Sequence, residues 1–165
     1  MTILVFVYGT LKRGQPNYYL LNEEAKGCVR FIGVAVTVPK YPLVIASKYN
    51  IPYLLDKPDV GHHVVGEVFE VDDAALQSLD ELEEHPHYYK RRLEPVRMKE
   101  FAPDCPLTKN GTTRPEFVDC WIYFLPEFRD SLLELPYHEN YDSYGPHGLP
   151  YVESEETACF DDIYS

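Results

Sequence analysis

The segment VVGEVFEVDDAALQSLDELEEHPHYYKRRLEPVRMK, Val64 to Lys99, decides the fold, because it holds the chain's one convincing helix between two strands. Val64 to Val71 is rich in Val and Phe and predicts a strand. Asp72 and Asp73 are suited to cap a helix that runs to about Glu84 and stops before Pro86. Tyr88 to Lys99 then predicts the next strand. Upstream, Ile3 to Tyr8 is a continuous apolar run, as a strand buried on both faces requires, and it ends in the turn at Gly9. Pro16 and Asn17 open a short helical segment, Tyr18 to Asn22. Gly27 to Val38 predicts a long strand, which Pro39 and Pro42 interrupt before the short run Leu43 to Ala46. Downstream, Ala102 to Pro115 is expected to be a surface loop, and Phe117 to Phe124 a strand. Beyond Phe124 the periodicity is lost. Strands outnumber helices and helices rarely separate them, so the expected class is α+β. The architecture expected is a small mixed or antiparallel β-barrel with flanking short helices. It forms a single domain over residues 1–151, followed by an acidic tail over 152–165.

The length of 165 residues suits one buried core, and 45% hydrophobic with 25% charged residues is ordinary for a globular chain. The net charge of −12 is unevenly spread. No Lys or Arg follows Arg129, while nine acids do, so residues 1–129 carry only −3. That distribution offers no basic footprint for nucleic acid or an anionic membrane. Cys28, Cys105, Cys120 and Cys159 are far apart, with no C-x-x-C pair; free thiols in a reducing compartment are expected, with Cys120 in the core. MTILVFVYGT lacks a cationic start and is too short for a signal peptide or a membrane span, so a cytoplasmic location is expected. Fourteen Tyr and eight Phe exceed what a core needs and point to an aromatic-lined pocket.

The helix carries the sharpest chemical clue. At 100° per residue, Ala75, Leu76, Leu79 and Leu82 form an apolar arc about 120° wide, and Glu83 falls inside it while Glu81 and Glu84 project away. A carboxylate on a core-facing stripe is costly unless it is paired or its pKa rises. The negative end of the helix dipole raises it further. Those conditions suit a general base near neutral pH. They equally suit a structural ion pair with Arg91 or Arg92, or a helix that frays before Glu83.

The stretch VYGTLKRGQPN, Val7 to Asn17, is the second clue. Gly9 directly after a buried strand frees backbone N–H groups in a tight turn, a cradle for an oxyanion or carboxylate; an ordinary strand-ending turn has the same spacing. Gly9 and Gly14 have phosphate-loop spacing, but Gln15 and Pro16 stand where Lys and Ser or Thr are required. A metal site at His85 and His87 is disfavoured by Pro86 between them, and no G-x-S-x-G elbow is present. No metal ligand is assigned.

Together these residues resemble the gamma-glutamyl cyclotransferase-like superfamily, and within it the branch acting on gamma-glutamylamines. FVYGTLKRGQPN (Phe6 to Asn17) resembles that branch's opening motif, with YGTL shared across the superfamily. Leu79 to Arg91 resembles the acid-rich helix end followed by Tyr-x-Arg, here Tyr89 and Arg91. YDSYGPHG (Tyr141 to Gly148) resembles the branch's C-terminal loop. The resemblance implies a barrel, a small-molecule gamma-glutamyl substrate, a reaction without a cofactor, and a monomer. The gamma-glutamyl group of an amine, such as the lysine side-chain amine of a degraded cross-link, would cyclise to 5-oxoproline. It further implies Glu83 as the catalytic residue, with Tyr8, Gly9, Thr10, Leu11, Tyr89, Tyr144 and Gly145 binding substrate, the last two on a loop acting as a lid. Two other readings are open: a cyclotransferase for gamma-glutamyl amino acids or glutathione, and a non-catalytic module that binds gamma-glutamyl compounds or 5-oxoproline.

Overall fold

The computed structural model describes residues 2–107, 111 and 113–153. Among the described residues the strands are β1 (Ile3–Val7), β2 (Val29–Thr37), β3 (Leu43–Ala46), β4 (Ile51–Leu54), β5 (Val65–Val71), β6 (Lys90–Phe101) and β7 (Phe117–Phe124). The helix α1 is Asp73–Leu82, and short 3-10 turns occupy Tyr18–Leu21 and Asp130–Glu134. Five strands close a barrel in the order β1-β5-β2-β6-β7. All its pairings are antiparallel except the seam, where β1 meets β7 in parallel with Val5 opposite Trp121. Closure leaves the barrel without an unpaired edge.

The two faces of β1 explain its unbroken apolar run. Leu4 and Phe6 belong to the cluster inside the barrel. Val5 and Val7 belong to a second cluster outside it, with Ala75 and Leu79 of α1 and with Tyr53 and Leu55. A strand that is wet on one face would alternate; this one is sandwiched. Strand β7 alternates in the same frame, Cys120, Ile122 and Phe124 facing the inner cluster and Tyr123 the outer one.

Four expectations need correcting. Strand β4 was not foreseen, because Pro52 interrupts the run; it is tolerated in the two-stranded β3–β4 sheet, where a strand has one free edge and Pro has no N–H to leave unpaired. The helix ends at Leu82, and Glu83 is its C-cap. Leu82 is 49% exposed and so not part of the core face. The loop after β6 is not wholly on the surface, since Ala102 and Cys105 are buried against the inner cluster. Residues 154–165 of the acidic tail, including Cys159, lie outside the described residues. Cys28, Cys105 and Cys120 are free thiols, and among the described residues no helix is long and apolar enough to cross a membrane.

Candidate active site

Helix α1 begins at Asp72, whose side chain accepts from the Ala75 N–H at 2.9 Å and the Cys28 N–H at 3.0 Å. Its other end delivers Glu83. The Glu83 N–H still donates to the Leu79 carbonyl at 2.9 Å, but Glu84 adopts φ 52° and turns the chain back. The Glu83 carbonyl then accepts from the Tyr89 N–H at 3.2 Å, which brings Tyr88 and Tyr89 beside the helix end.

These residues line a cavity of about 710 Å³. One wall is the turn Tyr8, Gly9, Thr10 and Leu11; a second is Ile51, Pro52 and Tyr53 of β4; a third is the helix end with Tyr88 and Tyr89; Tyr123 and Tyr151 complete it. The aromatic surplus of the sequence is spent here. Tyr53 stacks on Tyr89 with centroids 5.9 Å apart, and its hydroxyl shares a 2.8 Å hydrogen bond with that of Tyr88. Gly9 is required by proximity, because a Cβ there would sit 2.8 Å from the Pro52 ring.

Glu83 keeps partial exposure as a residue, yet its carboxyl is desolvated enough for burial to push its pKa up to about 7. The ion pair considered above does not form. Arg91 is bound bidentately to Asp80 at 2.7 and 3.1 Å, and Arg92 to Asp56 and Glu94 at 2.9 and 2.7 Å. Among the described residues no hydrogen bond or salt bridge reaches the Glu83 carboxylate. A carboxyl in that condition has the chemistry of a general acid or base near neutral pH.

The turn supplies donors. Lys12 N–H closes on the Gly9 carbonyl at 3.1 Å, and Asn17 fixes Thr10 through its own N–H and its side-chain amide, both at 2.9 Å. The N–H groups of Thr10 and Leu11 have no protein acceptor among the described residues. Tyr8 lines the cavity, but its hydroxyl donates to the Tyr123 carbonyl at 2.7 Å, so that hydrogen is committed. Burial, with Glu83 nearby, raises the pKa of Tyr8 well above the usual phenol value. Tyr89 is raised for the same leading reason, and its hydroxyl has no partner among the described residues.

The structure thus gathers Glu83, Tyr8, Gly9, Thr10, Leu11 and Tyr89 around one cavity. It does not bring Tyr144 and Gly145 there: Tyr144 is 72% exposed, and neither residue lines the cavity. The reason is a latch. Lys12 Nζ donates to the Asn140 side chain and the Tyr141 carbonyl, and Ser143 N–H donates to Gln15 Oε1 at 2.8 Å, which holds this loop on the KRGQPN segment. The loop is tied down beside the turn. Tyr53, Tyr88, Tyr123 and Tyr151 were missed by the sequence reading. Tyr123 had a usable signal, a polar-tipped aromatic on the outer face of a strand whose inner face is wholly apolar.

Residues 5–143 match the family model described as gamma-glutamyl cyclotransferase, AIG2-like. The chain belongs to that family. It is 45% identical to the gamma-glutamylaminecyclotransferase of Rattus norvegicus and 44% identical to that of Homo sapiens, in each case across 92% of this chain and 97% of the relative. A crystal structure of an AIG2-like protein from Mus musculus superposes with a TM-score of 0.83 at 42% identity, covering 94% of this chain and 98% of that one. Membership in the cyclotransferase family and the barrel agree with the sequence reading, and make the chain an enzyme of this type.

Proposed function

We propose that this cyclotransferase releases the amine from gamma-glutamylamines, including gamma-glutamyl-ε-lysine, with Glu83 acting first as base and then as acid. The substrate's α-amino nitrogen attacks its own γ-carbonyl carbon while Glu83 takes a proton from that nitrogen. The new N–C bond closes the five-membered ring, and the carbonyl oxygen becomes an oxyanion that N–H groups of the Tyr8–Leu11 turn would meet. Collapse breaks the bond to the leaving nitrogen, which receives the proton from Glu83. The products are 5-oxoproline and the free amine, and the carboxylate is regenerated. The nucleophile is intramolecular, so holding the glutamyl chain folded supplies much of the barrier reduction, up to about 7–11 kcal/mol in favourable systems.

The observation carrying this reading is the desolvated Glu83 carboxyl in a tyrosine-walled cavity, where among the described residues neither it nor the Thr10 and Leu11 N–H groups have a hydrogen-bonding partner. The cavity also favours amines over amino acids as leaving groups. Its described lining includes Glu81, Glu83 and Glu84 but no Lys, Arg or His. A leaving group with a carboxylate next to the scissile nitrogen would enter against that charge. Free thiols at Cys28, Cys105 and Cys120 suit a reducing cytosol, and a self-contained cavity suits a monomer.

Incubation with gamma-glutamyl-ε-lysine, gamma-glutamyl-alanine and glutathione, with 5-oxoproline quantified, tests the assignment. Turnover of the first at least about tenfold faster than either of the others is expected. Preference for gamma-glutamyl-alanine or glutathione would replace this substrate class. Binding of 5-oxoproline with turnover of none would indicate a binding module.

A further inference from the structure

The wall formed by Tyr151 has an unusual origin. It comes from beyond residue 143, where the match to the family model stops, and it follows Tyr123 as the next cavity-lining residue in the described chain. Three hydrogen bonds from two elements hold it. Asn50 Nδ2 donates to the Pro150 carbonyl at 2.9 Å, the Tyr151 N–H donates to Ser143 Oγ at 2.9 Å, and the Val152 N–H donates to the Tyr49 carbonyl at 2.8 Å. Tyr49 and Asn50 lead directly into β4, whose Ile51, Pro52 and Tyr53 line the same cavity. Ser143 is 2% exposed and anchored in turn by Gln15. Residues 150–152 are therefore a strap fastened on one side to the segment that leads into the β4 wall and on the other to Ser143 of the C-terminal loop, which does not itself line the cavity.

Building on the function proposed above, we propose that this strap, through the Tyr151 side chain, is the specificity-determining wall for the leaving amine. The division of labour follows from the chemistry. The glutamyl half is common to every substrate of the reaction, and the groups suited to it, Glu83 and the Tyr8–Leu11 turn, lie within the matched residues 5–143. The amine is what varies between substrates, and Tyr151 is the wall that lies outside those residues. A half-buried tyrosine ring gives an extended aliphatic arm, such as the four-carbon chain of lysine, apolar surface to cover, while a methyl group would not reach across to it.

The test compares gamma-glutamyl-ε-lysine with gamma-glutamyl-methylamine in the wild type, Tyr151→Ala and Tyr151→Phe, with kcat and KM measured separately. For Tyr151→Ala, kcat/KM should fall about tenfold further for the lysine compound than for the methylamine compound. That difference should sit in KM, and Tyr151→Phe should restore most of it. Asn50→Ala, which frees the Pro150 carbonyl without touching the ring, should move the ratio in the same direction by a smaller factor. Equal losses on both substrates, an unchanged ratio, or a change confined to kcat would overturn the assignment. Failure of the wild type to form 5-oxoproline from either compound would instead count against the function itself.

Discussion

Replacing Glu83 by Gln is expected to lower kcat by about a thousandfold, the middle of the range for a positioned acid–base group, while KM changes far less. Gln preserves the volume and shape of the side chain in a cavity whose walls are already packed, so the fold should survive. What it removes is the site for the travelling proton. The wild-type enzyme should show kcat/KM rising with pH through about 7, because the carboxyl must be ionised to act and burial holds its pKa there. In Glu83→Gln that limb should vanish along with the rate. Steady-state kinetics from pH 5 to 9 on both proteins checks this; a variant retaining more than a tenth of the wild-type kcat would remove Glu83 from the chemistry.

The same substitution should stabilise the protein at alkaline pH. A carboxyl whose folded-state pKa is raised from 4.5 to about 7 favours folding while protonated, so its contribution is fully present below about pH 4.5. That contribution is lost as pH rises through 7. At pH 8 the penalty for a burial-driven shift of this size is at most about 3 kcal/mol, less whatever water the cavity admits. Glu83→Gln escapes it. Thermal melts should therefore place the variant several degrees above wild type at pH 8 and close to it at pH 5. Equal melting temperatures at both pH values would mean that the carboxyl is not desolvated in the folded protein. The group proposed as catalytic would then be a stability liability, as expected where function opposes burial rules.

Glu83 was legible in the sequence because helical periodicity is local: Leu76 and Leu79 define a stripe, and an acid on it stands out. The strand-ending turn at Gly9 was legible for the same reason, although its unspent Thr10 and Leu11 N–H groups were not. The ion-pair alternative could be settled only by the fold. Arg91 could equally have met Glu83, and it is Asp80, one turn earlier on α1, that takes it. Strand β4 was hidden because Pro52 argues against a strand until the sheet is known to have only two strands.

The C-terminal region shows the sharper limit. YDSYGPHG was visible as a motif, but where it sits depends on Lys12 reaching Asn140 and Gln15 reaching Ser143, contacts across more than a hundred residues. No local pattern encodes such contacts. Hence Tyr144 and Gly145 were expected at the cavity, whereas the structure places Tyr151 there. KRGQPN and YDSYGPHG, far apart in sequence, are held together in space by the bonds of Lys12 to Asn140 and Tyr141 and of Ser143 to Gln15.

The central claim is that one carboxyl, without an ion pair among the described residues, is held half-protonated near neutrality by burial. Labelling the glutamates with ¹³C at the side-chain carboxyl and following their shifts from pH 3 to 9, with Glu83→Gln to assign the resonance, measures this directly. A midpoint near 7 for Glu83 is the predicted result. A midpoint near 4.5, the ordinary value for a solvated glutamate, would contradict it.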